Sequence, residues 1–178
     1  MDQLETATLA GGCFWCTEAI FKRLKGVNKV TSGYCGGKSD NPTYDEVSTG
    51  STGHAEAIQL GFNHDMISYE KLVKIFFHLH DPTTLNQQGN DVGTQYRSAI
   101  FYHNDRQKKI AEKIKLKIES EKIYAAPIVT KIVPYQNFTK AEESHQNFYA
   151  LNRTYPYCQL IIDPKIRKLL QLVPTLLK

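Results

Sequence analysis

Four cysteines stand in the chain, Cys13, Cys16, Cys35 and Cys158. Cys13 and Cys16 form a C-x-x-C pair that follows Gly11-Gly12 and encloses Phe14 and Trp15. In a chain of this kind paired cysteines point to nucleophilic, redox or metal chemistry before structural disulfides. Cys13 follows a strand-like stretch and a Gly-Gly turn, and it opens a helix. A thiolate placed there meets unpaired backbone N–H groups and the positive end of the helix dipole, and both lower its pKa. The bland alternative is a small buried cysteine beside two core aromatics. A zinc site also has to be weighed, because C-x-x-C is half of many such sites and six His are available. Against it, Cys35 and Cys158 stand alone, and His78 and His80 lack finger-like spacing.

Two further places offer chemistry. Period-two alternation over residues 54–62 puts Glu56 on one face with Ile58, Leu60 and Phe62. A carboxyl among apolar neighbours keeps its proton and can act as a general acid near neutral pH. The alternative is that this end of the strand faces solvent. Tyr44 lies in one long polar loop, and Asp91 and Tyr96 lie in another. Phenols and a carboxylate meeting in one pocket would hold a polarised oxygen, although each alone reads as a turn or surface residue.

The elements that must position these residues follow from pattern. Residues 6–10 read as a strand, 13–25 as a helix capped by Gly26, and 27–34 as a strand. Residues 38–53 and 83–96 read as polar loops. Ser68 caps a helix with a Leu72, Ile75, Phe76 and Leu79 stripe, which stops before Asp81-Pro82. A strand at 97–103 leads to a helix capped by Asn104 and carrying Ile110, Ile114 and Ile118. Residues 128–133 read as a strand, 142–151 as a helix and 158–162 as a short strand or extended piece. Pro164 opens a last helix. The sum is α+β: one domain over residues 1–178, with a mixed or antiparallel sheet covered by helices.

Composition sets the outer bounds. The 178 residues are 41% hydrophobic and 22% charged, with net charge +4 and mean hydropathy −0.41. That is enough chain to bury a core without disulfide staples. No apolar run approaches a membrane span of roughly 20 residues. Basic residues are interspersed with acids, so nucleic-acid binding is not indicated. The N-terminus shows no basic-then-apolar leader, so a cytoplasmic location is expected.

The motifs GCFWCTE (12–18), SGYCGG (32–37), PTYDEV (42–47), STGHAEA (51–57), HDPTTLNQQGNDVGTQYRS (80–98) and PYC (156–158) together resemble the A-type peptide methionine sulfoxide reductases. The resemblance covers nearly the whole chain, in order. It implies a ferredoxin-like α+β core and Cys13 as nucleophile. It makes Phe14 and Trp15 an apolar wall for the substrate methyl, and puts Tyr44, Glu56, Asp91 and Tyr96 on the oxygen-binding and acid positions. It further implies the S epimer of methionine sulfoxide as substrate, free or in proteins, and thioredoxin as reductant. No metal or organic cofactor is called for, and a monomer is expected. Cys35 stands where the family more often has a small residue, and a buried, inert thiol is the default reading.

The chemistry agrees with the residues. Reducing a sulfoxide needs a nucleophile at sulfur and a proton for the departing oxygen, which a thiolate and a protonated carboxyl supply. It leaves a sulfenic acid that a second thiol condenses with to a disulfide. Cys16 is the expected second thiol, since i, i+3 cysteines at a helix start lie within the roughly 4.4–6.8 Å Cα separation a disulfide accepts. The CFWC motif resembles family members that resolve within the motif. Cys158 is the alternative. Two other functional classes stay open from the residues alone: a thioredoxin-like disulfide oxidoreductase using Cys13 and Cys16, and a metal-binding interaction module.

Overall fold

The computed structural model describes residues 4–178. Its strands are β1 (Leu4–Gly11), β2 (Val27–Cys35), β3 (Ala55–Asn63), the short β4 (Gln87–Gln88) and β5 (Asp91–Val92), then β6 (Ser98–Tyr102), β7 (Lys131–Pro134) and β8 (Phe138–Lys140). Its helices are α1 (Phe14–Phe21), α2 (Tyr44–Ser48), α3 (Tyr69–Leu79), α4 (Asp105–Ser120), α5 (Phe148–Leu151) and α6 (Asp163–Leu172).

Six strands form one sheet in the order β7-β6-β1-β3-β2-β8. All neighbours run antiparallel except β6 and β7. The inner four strands, with α1 between β1 and β2 and α3 between β3 and β6, make the β-α-β-β-α-β unit of a ferredoxin-like core. The expected α+β fold is therefore observed, and β7 and β8 extend its two edges. β1 and β3 lie in the middle, with Leu9 opposite Ile58. Ile58, Leu60 and Phe62 enter the main core with Leu72, Ile75 and Phe76 of α3. Ala55 and Ala57 point to a smaller cluster on the other face with Cys35 and Phe101. The Ser68 hydroxyl accepts from the Lys71 N–H, as the cap requires.

Several boundaries differ from the sequence reading, each for a tertiary reason. The first helix stops at Phe21, not Lys25. Leu24 leaves it to bridge with Leu177, and the Lys25 N–H donates to the Leu176 carbonyl at 2.8 Å. Gly26, at φ +83°, still makes the reversal into β2. The first polar loop contains α2, opened by a Thr43–Glu46 capping box. The second contains the β4–β5 hairpin and a helical turn at Thr94–Tyr96. The helix expected over 142–151 is broken: Asn147 is left-handed at φ +56°. There Gln146 turns its amide to the Ser32 backbone, and the Asn147 N–H donates to the Glu18 carboxylate at 2.8 Å.

Residues 158–162 are helical rather than extended. They form a wide helical turn that runs into α6. Cys158, Ile162, Ile166 and Leu169 recur at helical spacing and all are buried.

Candidate active site

Cys13 sits at the N-terminal end of α1, where β1 delivers it to the edge of the core. Gly12 takes φ +89°, and a Cβ there would lie 2.6 Å from the Gln88 side chain. Only glycine lets Gln88 close on this turn. Gln88 in turn clamps the Asp81 backbone at both N–H and carbonyl, which fixes the β4–β5 hairpin, where Asp91 pairs with Gln88.

Glu56 lies beneath Cys13, 2% exposed, which decides for the buried-face reading of β3. Its Oε2 accepts the Phe14 N–H at 2.9 Å. Burial pushes its pKa up to about 8, against that hydrogen bond and with help from the charge of Asp91. Glu56 is thus a protonated acid at neutral pH.

The sequence reading expects the helix start to lower the pKa of Cys13, and the structure corrects this. The Phe14 amide goes to Glu56, and the Cys13 side chain accepts no capping hydrogen bond. Burial, the hydrogen bond shared with Cys16 and the Glu56 charge hold the Cys13 thiol well above its ordinary value. Cys16 is the thiol that gains: the hydrogen bond from Cys13 brings it down to about 7, against burial and with help from Lys165 and Tyr157. Of the two sulfurs Cys16 ionises first, and the shared proton stays on Cys13.

Around this pair the expected residues converge. Tyr44 is pushed up to about 12 by burial, by Glu56 and by Cys13. Burial, Glu56, Tyr44 and Asp91 likewise raise Tyr96. The five groups Cys13, Tyr44, Glu56, Asp91 and Tyr96 therefore act on one another's charge. Phe14, expected on the substrate wall, is fully buried, with ring centroids 5.8 Å from Tyr34 and 6.3 Å from Tyr44. It backs the wall rather than presenting surface. Trp15 is partly exposed and stacks on Phe148 at 3.7 Å and 6°.

Several members of the site escape the sequence reading. The Tyr157 hydroxyl donates to Asp91 Oδ2 at 2.7 Å and lies 3.8 Å from Cys16 Sγ. Burial and the two thiols raise its pKa. Its only signal is its place in the PYC motif. Glu142 accepts from the Tyr34 hydroxyl at 2.7 Å and the Tyr44 N–H at 2.8 Å. His145 stacks on Tyr44 at 4.2 Å.

Cys158 joins Cys13 and Cys16 in one apolar cluster with Ala19, Tyr149 and Ile162. Burial and the Cys16 charge raise it. Cys35 lies elsewhere, fully buried on the far face of the sheet, with its thiol donating to the Asn137 carbonyl at 2.9 Å. Burial pushes it up to about 12, in keeping with an inert thiol. Among the described residues no group of three or more His, Cys, Asp or Glu is placed to hold a metal ion.

Known proteins share this sequence and fold. The family model described as "Peptide methionine sulfoxide reductase" matches residues 5–174. The chain belongs to the peptide methionine sulfoxide reductase family. The peptide methionine sulfoxide reductase MsrA of Sulfolobus acidocaldarius is 54% identical over 171 residues, 96% of each chain. That of Saccharolobus solfataricus is 52% identical over 175 residues, 98% of each. Among solved structures, Mxr1 from Saccharomyces cerevisiae in reduced form superposes with TM-score 0.81 at 36% identity, over 88% of this chain and 90% of that one. Membership in this MsrA-type family makes the chain an oxidoreductase and decides against the thioredoxin-like and metal-module alternatives. None of its described helices is long and apolar enough to cross a membrane.

Proposed function

We propose that the protein reduces the S epimer of methionine sulfoxide, free or in proteins, through Cys13, with Glu56 as general acid. The observation that carries this reading is the buried, protonated Glu56 bonded to the amide next to Cys13. Protonation of Glu56 removes one of the charges that raise Cys13. The Cys13 sulfur attacks the sulfoxide sulfur, and Glu56 gives its proton to the oxygen. Tyr44 and Tyr96 hydrogen-bond that oxygen as charge builds on it. The oxygen then passes between the sulfurs: its bond to the methionine sulfur and the transient S–S bond break as a Cys13 S–O bond forms. Methionine leaves with the electron pair, Cys13 is left as a sulfenic acid, and its former thiol proton restores Glu56. Trp15, backed by Phe14, supplies the apolar surface for the methyl, and Asp91 with Tyr157 closes the side of the pocket.

Cys16 resolves the sulfenic acid. Its pKa of about 7 makes it a thiolate near neutral pH. It attacks the Cys13 sulfur, and the oxygen leaves as water with two protons. Cys16 shares a hydrogen bond with Cys13, which supports it as the first partner, and Cys158, in the same apolar cluster, is the alternative. A thioredoxin then reduces the Cys13–Cys16 disulfide. The solved complex of the related Mxr1 with Trx2, at 30% identity and TM-score 0.57, supports that class of reductant.

An assay with separated S and R epimers and dithiothreitol tests the activity, and turnover of the S epimer alone is expected. Mass mapping after one oxidation by substrate is expected to find a Cys13–Cys16 disulfide. Equal reduction of both epimers overturns the specificity. A Cys13–Cys158 disulfide, with full thioredoxin-coupled turnover in Cys16→Ser, overturns the resolving role of Cys16.

A further inference from the structure

The Asp91–Tyr157 pair that closes one side of the pocket has a second side. Against it lies a cleft of about 420 Å³, between the β4–β5 hairpin and the wide helical turn that leads into α6. Clefts of roughly 300–1,000 Å³, mostly apolar with a few polar groups, are the usual form of a ligand site. The reduction of the sulfoxide itself does not use this one.

Its outer wall is apolar for a local reason. The Asp163 N–H donates to the Cys158 carbonyl five residues back, so this turn is one residue wider than an ordinary helical turn. Turns of this kind gather at functional sites. Cys158 and Ile162 point into the protein and are fully buried, whereas Leu160 is turned out and is 73% exposed. Ile161 and Pro164 complete the wall. One leucine at a surface is ordinary, but a leucine, an isoleucine and a proline lining a cleft beside a reaction site mark a place for an apolar group.

The polar groups of the cleft divide into used and unused. The Gln88 amide is spent on the Asp81 backbone, and Asp91 accepts the Tyr157 hydroxyl. Asn90 and the half-buried Lys165 also line the cleft, and among the described residues neither side chain has a hydrogen-bond or ion-pair partner. An ammonium only donates, and a carboxamide has two N–H donors, so both suit carbonyl oxygens. The cleft is also within one residue of the pocket. Tyr157 meets the Trp15 ring edge-on, with centroids 5.8 Å apart, so the substrate wall and the cleft lie on two sides of one phenol. Consecutive Cα atoms are about 3.8 Å apart. A polypeptide with its oxidised methionine against Trp15 therefore carries the next residue across Tyr157.

We propose that this cleft is a subsite for polypeptide substrates: it takes the apolar side chain of a residue next to the oxidised methionine, and Lys165 and Asn90 donate to the backbone carbonyls beside it. This deepens the proposed activity and rests on it. Free methionine sulfoxide has no neighbour to place there, so the subsite separates peptide from free substrate.

The test uses tripeptides blocked at both ends, with the S epimer of methionine sulfoxide in the middle. One flank is glycine and the other is leucine, aspartate or glycine, in both orders, with dithiothreitol as reductant. In one of the two orders leucine is expected to exceed glycine roughly 10-fold in kcat/KM, the low end of what an apolar group gains in an apolar pocket. Leu160→Asn, at an exposed position, is expected to keep the wild-type melting temperature and the wild-type turnover of free sulfoxide while losing most of that preference. Equal values for leucine and glycine in both orders overturn the proposal, as does a preference that Leu160→Asn leaves intact. Aspartate above leucine assigns the cleft to a charged group and also overturns it. Leu160→Asn that loses only thioredoxin-coupled turnover assigns the surface to the reductant instead. Absence of free sulfoxide reduction by the wild type would remove the functional reading. The methyl resonances of Leu160 and Ile161 in Cys13→Ser would still decide on the subsite: they are expected to shift with the leucine peptide and not with the glycine one, and no shift with either overturns it.

Discussion

At the scale of the residue, the account rests on two side chains whose environments push them in useful directions. Cys13→Ser is expected to abolish methionine formation with any reductant, measured by amino-acid chromatography, because a hydroxyl is not ionised near neutral pH. Glu56→Gln keeps the acceptor for the Phe14 amide but has no proton to give, and it is expected to slow single-turnover reduction roughly 10²-fold. The wild-type rate is expected to fall as pH rises through about 8, where Glu56 loses its proton, and that limb should vanish in the variant. Stability should also fall as pH rises, over a lower window. The folded carboxyl holds its proton to about 8, whereas the unfolded one releases it near 4.5. The folded state binds the extra proton between those values, so this group's contribution is present at low pH and is lost as pH rises through the window. Thermal melts of Glu56→Gln should therefore gain on the wild type from pH 5 to pH 8. Alternation left the burial of Glu56 open, but its place on the face of Ile58, Leu60 and Phe62 was legible. The raised Cys13 thiol was not, because the sequence shows a helix start but not which carboxylate takes its first amide.

At the scale of the element, the site depends on a segment whose regular structure is one tight helical turn, Glu143–His145. Residues 142–147 carry Glu142 and His145 and are held by Gln146, which bonds the Ser32 N–H and carbonyl and the Ala141 carbonyl. Gln146→Ala removes this partner from the Ser32 N–H and the Ala141 carbonyl, while the Ser32 carbonyl keeps the Ala141 N–H; a backbone group left unpaired and dry costs roughly 1–3 kcal/mol. The expected result is a lower melting temperature together with a higher KM for sulfoxide, since both His145 and Tyr44 lose their frame. A variant that melts earlier with an unchanged KM would separate this segment from substrate binding. The helices α3 and α4 were legible because their apolar period matches one buried face, and the strands β1, β2, β3 and β6 because they are short β-prone runs between turn signals. The break at Asn147 was hidden because long-range hydrogen bonds to Ser32 and Glu18 decide it. The helical turn at Cys158–Ile162 was legible in principle, through the 158, 162, 166 spacing, but a short β-branched run also reads as a strand.

At the scale of the whole molecule, the ferredoxin-like sheet brings together residues from opposite ends of the chain: Cys13 from the first turn, Glu56 and Asp91 from the middle, and Tyr157 from the last third. The C-terminus closes this arrangement by returning to the exit of α1. The Lys178 N–H donates to the Arg23 carbonyl at 2.9 Å, beside the Leu24–Leu177 bridge. Deleting residues 174–178 is expected to cost about 1–3 kcal/mol, a drop of roughly 2–10 °C in melting temperature by calorimetry, while single-turnover reduction survives. That long-range closure had no signature in the C-terminal residues, whereas the order of the motifs already gave the family. The central claim is that the Cys13 sulfur takes the oxygen from the sulfoxide. The direct test is one turnover of the Cys16→Ser/Cys158→Ser variant with the S epimer, without reductant, in the presence of a sulfenic-acid trapping reagent. The account predicts one methionine released per chain and one trapped adduct, on Cys13. Methionine released with no adduct on Cys13, or with the adduct on Cys35, would contradict it.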